Sequence, residues 1–510
     1  MRRGRSATES EIERVGVEKG GGELTWWRWD PWTYALAAAA LTVYVLHGFG
    51  GFLMRDIAIY GYAGQQVVEG SPPYIGILSR TGPLAHLLPA LGVAAARVGG
   101  FDDLLGMRLV FMVFSIACVC LAYVLARDTF GSRLAGLAAA SAFLSFHGFT
   151  QLATYGPREK TPMVLFLLCA LLAISRRKWF LAGVCVSLAT LVWQPAILVG
   201  GTALVAASIA VPGAERRAVL ARATVGGIAP ATICVAYFAI VGAFREFVDG
   251  YLLINARYTV PSPLLRRFSD IWPRLQENYG VSLWVIVAGL VALIGLTFVA
   301  IGRGRGTARF GDPVVVVGAA GLAALAWSLR DFNGWPDAFI LLPMAAVGIG
   351  GVAQAVVKRL PRRAGLSVVL AAVAGGVAVG ATFSVSHRDD GLQLQRTYVD
   401  ALLAQLPADA SMMSIGAPQP LVLSRRTNPT RYQTFTRGLE EYMEDTWPGG
   451  LRGFAEWVRE LQPTILSLDA RRVPEWLREL VREEYRRVAR VTGWTWFAHR
   501  SVDVRIEAPT

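Results

Sequence analysis

The chain has 510 residues, 54% of them hydrophobic and 17% charged, with a mean hydropathy of +0.43. That is too little charge for a soluble protein of this size, and the apolar residues recur in runs of roughly 12–22 between short basic loops, the pattern of membrane-spanning helices. The net charge of +13 does not point to nucleic acid, because Lys+Arg and Asp+Glu balance at 17 each over residues 387–510 and the excess lies in the apolar part, where it reports topology.

Residues 1–31 are polar, with six basic and six acidic side chains, and contain no apolar stretch of the kind a cleavable signal peptide needs. Trp26, Trp27, Trp29 and Trp32 stand at the entry to the first apolar run, Trp32–Leu53, where tryptophan suits the headgroup level. The segment Ile57–Val68 then carries Ile57, Tyr60, Ala63 and Val67 at helical spacing and reads as an amphipathic helix on the membrane surface, ended by Gly70 and the SPPY turn.

Further spans are expected at Met107–Ala126, Leu134–Thr150, Met163–Ile174, Phe180–Trp193, Ala196–Ala210, Val225–Ala243, Val281–Ile301, Val314–Leu329, Ala338–Val357 and Leu366–Ser386, eleven in all with the first. Five basic loops, at 127–133, 175–179, 211–222, 303–309 and 358–363, should share the cytoplasmic side, which requires two crossings between each consecutive pair. That parity demands a break at Pro195 within WQP. It also demands that Pro83–Val98, apolar but only sixteen residues long with an internal proline, lie at the interface or re-enter instead of crossing.

The expected fold is therefore a polytopic all-α membrane protein of about eleven transmembrane helices plus interfacial helices, with a small C-terminal α/β domain outside the membrane. Residues 1–31 form a cytoplasmic segment, 32–386 the transmembrane domain and 387–510 the extracytoplasmic domain. In that last part strands are expected around Ser411–Ile415, Leu421–Leu423, 463–469 and 490–500, with helices at 451–462 and 474–490. The segment at 425–447, rich in Arg, Tyr and acids, reads either as a solvated connection or as a loop that closes over a membrane pocket.

The external loops would then hold the remaining charge. Asp56 follows the first run at once, Arg80 stands in RTGPL (80–84), and Arg158, Glu159 and Lys160 are consecutive in TYGPREKTP (154–162). Two cations and an acid at that depth suit a phosphate-bearing headgroup, and equally a helix-end cluster that snorkels to the lipid surface. Asp331 and Asp337 in DFNGWPD can solvate a loop or position a substrate, and Asp102 and Asp103 read as the solvated end of the interfacial helix. His47, His86 and His147 lack metal-ligand spacing, and all five cysteines lie inside apolar runs, so neither a metal site nor a disulfide framework is expected.

The order of these features resembles the GT-C superfamily of membrane glycosyltransferases, in the branch of protein O-mannosyltransferases, aminoarabinose transferases and polyprenyl-phosphate-mannose mannosyltransferases. The features are RD (55–56) after the first span, a Tyr-containing interfacial helix, RTGPL, the charged GPREK, and the Pro-Asp loop before a late span, over roughly residues 32–386. The chain departs from the family where Ile57 replaces a second acid, and where Arg80, set off from Gly-Pro by Thr81, replaces a lysine.

The resemblance implies transfer of one sugar from a polyprenyl-phosphate carrier to a hydroxyl on a lipid, glycan or protein acceptor, usually with inversion and without a cofactor. Asp56 would be the general base and Glu159 the second acid. Arg80, Arg158 and Lys160 would stabilise the leaving phosphate, with Tyr60 and Asp337 also in the substrate site. The rival class is a transporter or flippase of lipid-linked sugars, which would place ionisable groups at mid-depth of the spans; these spans carry almost none.

Overall fold

The computed structural model describes residues 30–304, 306–436, 438–470 and 473–506. Residues 1–29, and with them all but the last two residues of the expected cytoplasmic segment and its three tryptophans, lie outside these. The helices in the first part are α1 (Pro31–His47), α2 (Arg55–Val68), α3 (Leu84–Gly99), α4 (Asp103–Phe130), α5 (Arg133–Ser145), α6 (His147–Tyr155), α7 (Lys160–Ser175), α8 (Trp179–Val192), α9 (Ala196–Ile209) and α10 (Gly213–Ile240). They are followed by α11 (Phe244–Phe247), a π-helical segment Val248–Tyr258, α12 (Phe268–Tyr279), α13 (Ser282–Arg303), α14 (Pro313–Arg330), α15 (Leu342–Arg359) and α16 (Arg362–Ser386).

Several starts are written locally. Asp30–Pro31 and Asp312–Pro313 both pair an aspartate cap with proline at the first helical position; the two carboxylates accept from Trp32 N–H (3.3 Å) and Val314 N–H (2.9 Å). Among the described residues six helices are long and apolar enough to cross a bilayer: α4, α10, α13, α14, α15 with the turn before it, and α16 running on towards the next helix. Five shorter apolar helices, α3, α5, α7, α8 and α9, have 13–16 residues, so a count of eleven spans depends on α1 and four of these. α10, α13 and α16 leave most of their apolar surface uncovered, as helices facing lipid do.

The basic loops gather at one end of the bundle. Arg133 pairs with Asp30 (2.6 Å), Arg176 with Asp128 (2.7 Å), and Arg177, Val211 and Gly311 line one small cavity. Val356 and Val357, just before the fifth loop, and Leu134, just after the first, pack against one cluster of Ala138, Ala353 and Val369. α3 has both ends at the opposite end: Gly82 N–H, before it, donates to Val192 O (3.1 Å), and Arg97, in its last turn, pairs with Asp103 (3.3 Å) at the start of α4. The chain is also broken between α8 and α9 at Trp193–Pro195, as the loop parity requires. The expected single span at 134–150 is instead two helices that meet at Phe146, where His147 N–H turns to Ser282 Oγ (3.2 Å).

α13 and α15 touch backbone to backbone. A Cβ on Gly348 would collide with the Gly289 carbonyl, and one on Gly289 with that of Ala345. Gly348→Val should therefore push the helices apart and lower the unfolding midpoint in detergent, at a cost of about 1–3 kcal/mol. An unchanged midpoint would mean that the pair is looser than the packing implies.

The C-terminal part comprises α17 (Gly391–Leu403), β1 (Met412–Ile415), α18 (Gln419–Ser424), α19 (Leu439–Thr446), α20 (Gly450–Leu461), β2 (Ile465–Asp469), α21 (Arg478–Glu484), β3 (Tyr485–Val491) and β4 (Trp494–His499). The sheet order is β1-β2-β4-β3, with β1 and β2 parallel and the other pairs antiparallel. Two expectations are corrected. Residues 421–423 are helical, since Pro420 opens α18 and the Val422 carbonyl accepts from Gln65 Nε2 (3.1 Å) on α2. The expected helix at 474–490 stops at Glu484, because Gly493 (φ +103°) supplies a tight turn that pairs 485–491 with β4. One apolar core runs without interruption from α1 into Trp494, Trp496 and Ala498, so the change of composition near 387 is not a packing boundary.

Candidate active site

Asp56 is positioned by the irregular stretch before it. Residues 48–54 cannot pair with themselves as a helix would, and their backbone is held from outside. The buried Arg108 of α4 donates to the carbonyls of Phe49 and Gly51, Leu392 N–H donates to Gly50 O (2.8 Å), and Leu53 N–H donates to Gln395 Oε1 (2.6 Å). α2 then starts at Arg55, which places Asp56 in its first turn, where the helix dipole favours a carboxylate.

A cavity of about 690 Å³ opens at this end of the bundle. Asp56, Tyr60, Arg80, Arg158, Glu159, Lys160 and Asp337 all line it, so every residue singled out for the site in the sequence reaches one space. Five of them lie in one chain of alternating charges. Arg55 joins Asp469 (3.0 Å) to Asp56 (3.3 Å); Arg158 joins Asp56 (2.8 Å) to Glu159 (3.1 Å); Lys160 joins Glu159 (3.6 Å) to Asp337 (3.2 Å). Lys160 Nζ also sits 3.2 Å from the centroid of the Trp193 ring, a cation–π contact made possible by the break in WQP.

The groups differ in access. The Asp56 side chain is 45% exposed, whereas Glu159 and Lys160 are each 4% exposed and lie behind it. Burial on its own would raise the Asp56 carboxyl; the charges of Arg158 and Arg55 outweigh that and hold it at about 2. The opposed effects for Arg158 resolve upward, since Glu159 and Asp56 outweigh its burial. Burial, then the Glu159 charge, lifts the Tyr60 phenol well above its usual range, so Tyr60 is a neutral hydrogen-bond donor.

A depressed carboxyl stays ionised until the pH falls through its own low value. Catalysis that uses Asp56 should therefore show a kcat/KM, the parameter that reports the free enzyme, without an acid limb from this group over about pH 5–8. A limb centred in that window and shifted by Arg158→Lys would contradict the assignment.

A second cavity of about 350 Å³ shares Arg55, Asp56, Ile59, Thr434 and Thr436 with the first. Its far wall is Ile415, Gly416 and Asp469, at the carboxyl ends of the parallel strands β1 and β2, where open sheets commonly bind ligands. Asp56 thus stands between two spaces. The segment 425–447 closes over the site: Leu78 N–H donates to Arg431 O (2.8 Å), Thr434 Oγ1 to Leu78 O (3.2 Å), and Thr434, Thr436 and Leu439 line the larger cavity.

Asp102 and Asp103 are elsewhere, the first capping α4 through Leu105 N–H (2.9 Å) and the second pairing with Arg425 (3.2 Å). His47 and His147 stack on Phe383, and His86 is buried beside Tyr74. Among the described residues no three His, Cys, Asp or Glu side chains stand close enough to hold a metal ion. Several cavity residues were not assigned to the site from the sequence: Arg55, quoted only as part of RD, Trp193 and Gln194, quoted for the WQP break, and Asp469, Asn255 and Arg330.

No protein-family model and no curated protein matches the chain. Among solved structures it is similar to ArnT from Cupriavidus metallidurans in the apo state, with 15% identity, 92% of this chain and 97% of that one covered, and a TM-score of 0.62. It is also similar to the same enzyme bound to undecaprenyl phosphate (13%, 92% and 98%, TM-score 0.61). A third likeness is to the Archaeoglobus fulgidus oligosaccharyltransferase in complex with Zn and sulfate (13%, 92% and 73%, TM-score 0.52). At these identities the likeness is one of fold; the neighbours that share it are GT-C superfamily membrane glycosyltransferases.

Proposed function

We propose that the chain is a multi-pass membrane glycosyltransferase that moves a sugar from a polyprenyl-phosphate donor to a hydroxyl of a lipid, glycan or protein acceptor, with inversion. In this reading the N-terminus is cytoplasmic, residues 32–386 form the transmembrane domain, and residues 387–510 work with it on the extracytoplasmic face. The observation that carries the reading is the gathering of Arg80, Arg158 and Lys160 around one accessible carboxylate in a cavity large enough for a phosphosugar. A neighbour of the same fold is known with undecaprenyl phosphate, which makes that lipid the first carrier to test.

The acceptor oxygen bonds to the anomeric carbon as the bond from that carbon to the phosphate oxygen breaks. The lipid phosphate leaves with the electron pair, and the growing negative charge falls to Arg80, Arg158 and Lys160. The hydroxyl proton goes to Asp56. A carboxyl held at about 2 is a weak base, but a phosphate that draws Arg158 towards itself removes the larger of the two charges that hold it there, leaving Arg55, and its proton affinity rises. Asp56 first orients the hydroxyl and then accepts its proton late. The acceptor would enter from the smaller cavity, and the polyprenyl chain of the donor would lie along the bundle.

Glu159 is nearly buried between Arg158 and Lys160, which favours a role in holding both cations over direct contact with the sugar. Apart from the basic loops, the charge is concentrated at the site's end of the bundle and not at mid-depth of the helices, which favours transfer over transport. The test is reconstitution with a panel of radiolabelled polyprenyl-phosphate sugars and a membrane extract as acceptor. One donor consumed into product supports the reading; none consumed, while a known enzyme uses the same donors, overturns it.

A further inference from the structure

Unlike Arg158 and Lys160, Arg80 has no carboxylate partner among the described residues. Among the described residues its guanidinium makes one hydrogen bond, to Thr259 Oγ1 (3.3 Å), whereas Arg158 and Lys160 are each engaged by two acids. Its backbone, in contrast, is held firmly. The Arg80 carbonyl accepts from Gln194 Nε2 (3.0 Å) and from Asn255 Nδ2 (2.7 Å). Each of these amide nitrogens also donates to the Tyr251 carbonyl, at 3.1 and 3.2 Å. Two side-chain amides and two backbone carbonyls therefore form a closed set of four hydrogen bonds.

The two amides come from places that regular structure would not supply. Gln194 lies in the gap between α8 and α9, and Asn255 lies in the π-helical segment 248–258. A π-helix of eleven residues is rare, and such geometry recurs where a site requires it. The neighbouring residues of the Arg80 loop are fixed in the same manner. The Tyr74 hydroxyl donates to Thr81 O (2.7 Å), and Gly82 lies so close to Leu191 O that a Cβ would collide with it. Backbone fixation with a free side-chain head is what a cation kept for an incoming anion requires; a carboxylate partner would have to be displaced first.

We propose that Gln194 and Asn255 are positioning residues that hold Arg80 ready for the phosphate of the lipid-linked donor. This rests on the reading of Arg80 as a phosphate contact. Neither residue touches the reacting atoms; both act through the Arg80 carbonyl and the Tyr251 carbonyl beside it.

The experiment measures binding of undecaprenyl phosphate to the full chain in nanodiscs, for wild type, Arg80→Ala, Gln194→Met, Asn255→Leu and the two double variants. Met and Leu keep the shape and remove the donors. Each single change should weaken binding about tenfold, in the range of one or two lost hydrogen bonds. In the Arg80→Ala background the same changes should add nothing, because they act only through Arg80. Equal weakening in both backgrounds, or no weakening in wild type, overturns the proposal and makes the amides simple struts of the fold. Unfolding of both single variants has the same meaning. Failure of wild type to bind while a known enzyme binds the same lipid removes the donor reading itself, and this proposal with it.

Discussion

Asp56→Asn should lower kcat for sugar transfer by about 10²–10⁴-fold, the usual contribution of a positioned acid or base, while donor binding holds or tightens. The two halves follow from one geometry. Asparagine keeps an oxygen near Arg158 and Arg55, so the start of α2 stays in place, yet it neither accepts the hydroxyl proton nor carries the charge that orients it. Loss of that charge also frees Arg158 for the donor phosphate and removes a repulsion from it. Turnover should therefore fall without a loss of undecaprenyl phosphate binding. Weakened binding with unchanged turnover per bound donor would mean that Asp56 shapes the cavity and does no chemistry.

Glu159→Gln should destabilise the protein by about 3–5 kcal/mol, the cost of removing one partner from a buried ion pair. Glu159 is shared by Arg158 and Lys160, and all three side chains are largely buried. Without it Lys160 keeps Asp337 and the Trp193 ring, but Arg158 is left with Asp56 alone. The unfolding midpoint in detergent should fall clearly, and donor affinity should fall with it as the two cations lose their fixed spacing. An unchanged midpoint with turnover abolished would assign Glu159 to the chemistry directly.

Much of this site was legible along the chain because membrane proteins write their topology locally. The WQP break and the short, proline-bearing run that became α3 each depend on a few neighbouring residues. The order of charges was legible for the same reason: in an apolar sequence an isolated Asp56, Arg80 or GPREK stands out, and each such group needs either water or a partner.

The C-terminal part was read less well. QPLVLS carries strand-forming residues, but Pro420 and the contact of Val422 with α2 make it a helix. Residues 485–491 carry a helical spacing, but the turn at Gly493 and the waiting edge of β4 make them a strand. There the competing local preferences are close in energy, and packing decides between them.

The sequence by itself thus determined the succession of apolar helices, the parity of the basic loops and the identity of the charged groups gathered at the other end, because burial in lipid or protein acts on each residue where it stands. Only the tertiary structure decided the partnerships. Arg55 meets Asp469 across more than four hundred residues, Lys160 meets Asp337 and the face of Trp193, and Gln194 and Asn255 meet on the carbonyl of Arg80. Such contacts depend on distances of about 3 Å between segments remote in the chain, and hydropathy or spacing along one segment carries no information about them.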